Sequence, residues 1–312
     1  MNLVSAVRSS FMPTLEQLSS QFSVPERISF TKGEGGLTRV LLQTPRSEAQ
    51  VYLHGAHVAH FARTGEKPVL FMSKQSLFQA GKAIRGGVPI CFPWFGPRAG
   101  HPESPMHGFA RTSEWEVESA SAKGDTTTLV LALKSSDATR KLWPHDFLAR
   151  YTITLADTLS LALEVVNTGQ GELSFEEALH TYFTISNIKD VTIEGLAGVD
   201  YIDKTDGMAV KTQGTKPMKI AEETDRIYLP TTAACTLRDP GMRRRIVNAK
   251  ENSHTTVVWN PWIAKAKAMA DFGDDEWPSM ACIETCNVNK HAVSLAPGAS
   301  HTMTATISTQ AL

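Results

Sequence analysis

The 312-residue chain predicts an all-β fold, a large antiparallel β-sandwich preceded by a short N-terminal helix. Three observations predict it: short runs of alternating or β-branched residues recur along most of the chain, Gly, Pro, Asp and Asn separate them, and one capped helical start stands near the N-terminus. Pro13 followed by Thr14-Leu15-Glu16-Gln17 reads as the helix start, with Thr14 placed to accept from the backbone and Gln17 to reach back. After Arg27 the pattern turns strand-like, at residues 50–53, 126–133, 149–155 and 158–166. Further strands are expected at residues 192–194, 244–247, 255–259, 279–284, 292–295 and 301–308. Ala156-Asp157 joins two period-two runs and marks a hairpin, each strand showing one face to a core and the other outward. With no internal repeat and no Pro/Ser-rich linker, residues 1–26 read as a helical extension and 27–312 as a single sandwich domain. A concave sheet face of that size holds a small ligand among side chains from non-adjacent strands.

Lys and Arg number 31 against 32 Asp and Glu, so the net charge of -1 offers no broad basic field for nucleic acid or an anionic membrane. An anion would be held by local charge. Cys91, Cys235, Cys282 and Cys286 lie in apolar or strand-like stretches, with neither zinc-site spacing nor a disulfide framework, which suits a reducing cytoplasm. Residues 1–22 read as neither a signal peptide nor a membrane span. His54, His57 and His60 recur every third residue, but an alternating strand would send them to mixed faces, so no metal site is expected.

Four stretches carry candidate chemistry. The run from Ile84 to Pro97 is too rich in Gly and Pro for a central strand and reads as a shaped loop. There Arg85 offers a planar fork of donors, for a phosphate or for an ordinary carboxylate, and Gly86-Gly87 would let backbone approach a ligand. His107-Gly108-Phe109-Ala110-Arg111 adds a second cation, which would clamp a phosphate if it converged with Arg85. In Phe175 to Phe183, alternation puts Glu176, Ala178 and His180 on one face and Glu177, Leu179 and Thr181 on the other. His180 is either a proton carrier or a hydrogen-bonded strand residue. In Met280 to Asn287, Glu284 interrupts an apolar strand; burial would make it a better proton acceptor, and a structural salt bridge explains the same placement. Residues 259–262 and the acidic run 271–276 are expected to line or close the same cavity.

Together with Thr224-Asp225-Arg226-Ile227-Tyr228 and Ala270 to Glu276, these stretches resemble, in order along nearly the whole chain, the hexose-6-phosphate mutarotase (glucose-6-phosphate 1-epimerase) family of the galactose-mutarotase-like superfamily. The resemblance implies His180 as general acid and Glu284 as general base, Arg85, Arg111 and Asp225 as substrate-binding residues, and His107 as a second histidine that orients the sugar. The chain is expected to act as a monomer on a hexose 6-phosphate, without metal or cofactor. Some members carry Gln where this chain has Met106, which bears on sugar preference and leaves the proton carriers untouched. The expected reaction removes the anomeric hydroxyl proton and protonates the ring oxygen, so that the ring opens and recloses from either face. Competing readings are a non-catalytic phosphosugar sensor, an epimerase of free aldoses, and a glycosidase, which usually needs two carboxylates.

Overall fold

The computed structural model describes residues 13–312. The part of the N-terminal extension before Pro13 lies outside the described residues. The helix Leu15–Phe22 starts as its sequence dictates: Gln17 N–H donates to Thr14 Oγ1 at 3.2 Å, and Thr14 N–H donates to Gln17 Oε1 at 2.8 Å. Leu18 is its buried residue, and the helix lies on strands Ile28–Lys32 and Glu116–Lys123.

Two eight-stranded sheets dominate, and every strand pair in them is antiparallel. The back sheet runs Thr192–Glu194, Cys235–Asp239, Arg244–Glu251, Ser300–Ala311, Leu159–Asn167, Phe147–Leu155, Thr126–Lys134, Glu116–Lys123. The front sheet runs Ala209–Thr212, Asp200–Asp203, Thr224–Tyr228, Thr255–Asn260, Met280–Asn287, Glu177–Leu179, Ile90–Cys91, with Tyr182–Thr184 also paired to Met280–Asn287. A four-stranded sheet covers Ile28–Lys32 to His57–Arg63, and Leu173–Phe175 pairs with Val293–Leu295.

The expected hairpin is present: Leu155 stands opposite Leu159, with Ala156 N–H donating to Thr158 O at 2.9 Å. Its strands alternate strictly. Ala149, Tyr151, Ile153 and Leu155 are fully buried, whereas outward-facing Arg150 reaches Glu118 and Glu164 at 3.0 Å. The front sheet differs because both of its faces are covered. In Met280–Asn287 all eight residues are buried. Ala281 and Ile283 join the main core between the sheets, while Met280, Cys282 and Cys286 join a second apolar cluster on the opposite face. Asn248 Nδ2 of the back sheet donates to Thr285 Oγ1 at 3.4 Å, which marks the odd-numbered side as the inward one.

Two further helices, Asp137–Leu142 and Trp262–Ala268, go beyond the single helix expected. They have six and seven residues, too few turns to display a helical period. Their starts are nonetheless local: Ser136 and Thr139 form a capping box, and Asn260 Oδ1 accepts from Trp262 N–H at 2.9 Å.

Candidate active site

The second face of the front sheet carries a cavity of about 290 Å³ lined by Arg85, His107, Arg111, His180, Asp225 and Glu284, the six residues singled out in the sequence. The pleat explains the convergence. Glu284 shares the even-numbered face of its strand with Cys282 and Cys286, and Ala178 and His180 point the same way from the neighbouring segment. Glu177 and Leu179 point to the other side, where Leu179 enters the main core and Glu177 Oε1 meets back-sheet His301 Nε2 at 3.0 Å. The alternation read from the sequence therefore holds, although the run is split into separate short strands.

His180 Nε2 and Glu284 Oε1 are 3.2 Å apart, in direct contact rather than facing each other across an open hollow. His180 is stacked on Tyr182, with ring centroids 4.8 Å apart, and meets Trp259 edge-on. Burial, then the charges of Arg111 and Arg85, hold the His180 imidazole well below its usual range. Burial, then the Asp225 carboxylate, hold Glu284 well above its own. Both shifts favour the uncharged forms, an imidazole beside a carboxylic acid. Glu284 Oε2 has no hydrogen-bond partner among the described residues.

The loop bearing Arg85 is laced to the histidine segment by backbone bonds: His180 N–H donates to Pro89 O at 3.0 Å and Tyr182 N–H to Gly87 O at 2.9 Å. Arg85 Nη1 then donates to Tyr182 Oη at 3.0 Å, and Nε and Nη2 form a fork on Asp271 Oδ2 at 3.2 and 3.0 Å. Of the two partners left open for Arg85, a carboxylate is in place, supplied by the acidic run. Gly86 and Gly87 serve packing rather than ligand approach. A Cβ on Gly86 would stand 2.4 Å from Phe71 O, and one on Gly87 2.3 Å from Val58 O.

Arg111 lies in the short turn Ala110–Thr112. Its Nη2 donates to Met106 O at 2.8 Å, and its Nε is buried without a partner. Among the described residues no carboxylate pairs with it, so it is the least neutralised cation in the cavity. His107 has a positive φ of 65°, and its Nδ1 accepts from Gly96 N–H at 3.1 Å. Burial, then Arg111 and His180, hold its imidazole well below the usual range, so it is neutral, with its proton on Nε2. Met106 is half exposed on the cavity wall.

Asp225 is buried and pairs with Lys204, Nζ to Oδ2 at 2.9 Å. Sequence reasoning missed Lys204, which reads as an ordinary polar residue after the strand Asp200–Asp203. It also left Tyr182 and Phe95 without a role. Trp259 lines the cavity as expected; in the acidic run Asp271 reaches Arg85, while Glu276 instead fixes Ser73 and the Lys74 backbone. The three spaced histidines have separate surroundings: His54 meets Lys82 O and Glu114, His57 is buried, and His60 meets Glu48. No helix among the described residues is long and apolar enough to cross a membrane.

Known proteins resemble this chain over most of its length. A family model described as aldose 1-epimerase matches residues 38–308. A provisionally named glucose-6-phosphate 1-epimerase from Cenchrus ciliaris is 34% identical over 292 residues, which are 90% of this chain and 86% of that protein. Its provisionally named counterpart from Salmonella typhimurium is 34% identical over 276 residues, 88% of this chain and 89% of that one. The crystal structure of a provisionally assigned mutarotase, YeaD, from Salmonella typhimurium superposes with a TM-score of 0.87 at 30% identity, over 93% of this chain and 96% of that chain. The chain belongs to the aldose 1-epimerase family and groups within it with the glucose-6-phosphate 1-epimerases.

Proposed function

We propose that the protein is a hexose-6-phosphate mutarotase in which Glu284 and His180 exchange protons with the anomeric hydroxyl and the ring oxygen. The observation that carries this reading is the 3.2 Å His180–Glu284 contact on the wall of a cavity of about 290 Å³. Mutarotation consumes no net proton: one group takes a proton from the C1 hydroxyl while the other gives one to the ring oxygen, and closure reverses both steps. A buried pair sharing a single proton has the right count. Burial favours that proton on Glu284, and its transfer to His180 Nε2 across the 3.2 Å contact readies Glu284 as the base and His180 as the acid. The cavity volume is at the small end of ligand sites and suits one phosphorylated sugar.

Arg111, which has no carboxylate partner, supports recognition of the phosphate, with Arg85 held beside it by Asp271 and Tyr182. His107 Nε2–H and the Asp225 carboxylate offer a donor and an acceptor for sugar hydroxyls. The four free, buried cysteines support a reducing, cytoplasmic setting. All six assigned residues come from one chain, which supports a site complete in the monomer. Residues 27–312 are read as one domain, with a main core that runs from Leu18 to Ile307 and so takes in the N-terminal helix as well.

The test is saturation-transfer NMR of anomer exchange with glucose 6-phosphate and with free glucose. A charge-assisted contact to phosphate predicts a kcat/KM for the phosphate ester at least about tenfold higher. Equal or better turnover of the free sugar would move the reading to an aldose 1-epimerase of unphosphorylated sugars.

A further inference from the structure

Lys204 and Asp225 form a contact for which the mechanism above has no use. Lys204 immediately follows the strand Asp200–Asp203, and its backbone N–H donates to Asp225 O at 2.9 Å, so the two residues are held together by main chain as well as side chain. Lys204 Nζ stands 2.9 Å from Asp225 Oδ2 and 5.6 Å from the centroid of the Phe95 ring. All three residues line the cavity with His180 and Glu284. Among the described residues, the Asp225 carboxylate takes a side-chain contact from Lys204 alone, and the Lys204 ammonium has no other hydrogen-bond acceptor. One carboxylate oxygen and two ammonium hydrogens are thus left at one spot on the cavity wall.

We propose that Lys204 is a specificity-determining residue: with Asp225 it forms a donor–acceptor clip that grips one secondary hydroxyl of the sugar. A hydroxyl donates one hydrogen bond and accepts others, so it can give its proton to Asp225 and accept from Lys204 at once. The charge balance separates this role from phosphate binding. A phosphate dianion at Lys204 would lie against the Asp225 carboxylate, whereas a neutral hydroxyl meets no repulsion from an ion pair of zero net charge. Arg111 carries no such carboxylate and is the better seat for the anion. The sugar is thereby held by the phosphate at one place and by a ring hydroxyl at another. Phe95 beneath the ammonium limits where its hydrogens can point.

This inference rests on the hexose-phosphate reading, and its test keeps the two apart. Anomer exchange is measured for wild type, Lys204→Met and Lys204→Arg with glucose 6-phosphate, its 2-deoxy, 3-deoxy and 4-deoxy analogues, and free glucose. Loss of a hydrogen bond involving a charged group lowers kcat/KM by about tenfold to a hundredfold. In wild type, one deoxy analogue is expected to show that loss. Lys204→Met should show it on glucose 6-phosphate, mainly in KM, with little further loss on that same analogue and the full wild-type pattern on the other two. Lys204→Arg, which keeps a cationic donor, should recover part of the loss. Equal losses in Lys204→Met across the parent sugar and all three analogues would overturn the clip and leave Lys204 as a support for Asp225. A Lys204→Met loss that vanishes with free glucose would overturn it in favour of a phosphate contact. Wild-type protein that exchanges no anomers of glucose 6-phosphate would instead sink the proposed function itself.

Discussion

The catalytic assignment lives on two side chains whose environments push them in opposite directions. Burial disfavours the charged form of each, so His180 stays below its usual range and Glu284 above its own. Their contact lets one proton serve both. Replacing either as His180→Ala or Glu284→Gln should lower anomer exchange about 10²–10⁴-fold, the span typical of a lost general acid or base, with an unchanged circular dichroism spectrum as the check on folding. Wild-type rates in either folded variant would reject the pair. The buried histidines also set how stability varies with pH. His57 is held down to about 3 by burial, then by His54 and Arg111, and His107 and His180 are depressed as well. A depressed histidine contributes stability present above its unfolded value near 6.5 and lost as pH falls toward its folded value. Glu284, raised instead, is protonated in the fold and opposes the three at mildly acid pH. The melting temperature should therefore fall from pH 6.5 to 4.5. His57→Gln should flatten that slope by about 1.4 kcal/mol per pH unit, the contribution of one proton, as read by denaturation across the range. An unaltered slope would show that His57 takes up its proton in the folded protein.

Among the elements, the short loops place the chemistry and the strands hold the loops. Gly108 follows His107 with φ 75°, and a Cβ there would lie 2.0 Å from Phe92 O, the carbonyl that accepts from both Phe109 and Ala110 N–H. No side-chain rotation relieves a clash with backbone. Gly108→Ala should cost about 2–4 kcal/mol and raise KM by displacing His107 and Arg111. Gly124, also at positive φ but with open space around it, is the control, and Gly124→Ala should cost about 1 kcal/mol. Similar melting temperatures for the two variants would contradict this account of the turn. The same logic shows what a local motif can reveal. The Thr14–Gln17 box was legible because a capping box is complete within a few residues. The helix Trp262–Ala268 was not, because it starts at an Asn-Pro step inside a strand-like run and ends within two turns.

At the scale of the whole molecule, the back sheet and the front sheet act as one support. Glu177, fully buried, reaches from the front sheet to His301 on Ser300–Ala311, and Asn287 Nδ2 donates to the same carboxylate at 2.9 Å. Removing one partner of such a pair leaves polar groups buried without compensation, so Glu177→Ala should destabilise by about 3 kcal/mol. Because Glu177 lies two residues from Leu179 and three from His180 along the chain, the variant should also slow anomer exchange, whereas Glu177→Gln, which can still accept from His301, should lose less of both. Chemical denaturation and the exchange assay read the two effects separately; a Glu177→Ala protein as stable as wild type would show that the sheets are held by the apolar core alone.

The sequence by itself determined the all-β rhythm, the hairpin at Ala156-Asp157 and the faces of the His180 segment, because period-two alternation and turn chemistry are local properties of a chain. It also marked six residues that line one cavity, Arg85, Arg111, His180 and Glu284 by their own motifs and His107 and Asp225 by the family resemblance. Only the tertiary structure decided that His180 touches Glu284, that Arg85 is held by Asp271 and that Lys204 sits on Asp225, since these partners are 104, 186 and 21 residues apart. The front sheet hides such contacts for a physical reason: buried on both faces, its strands need no polar side, and their sequence does not show which face carries the site.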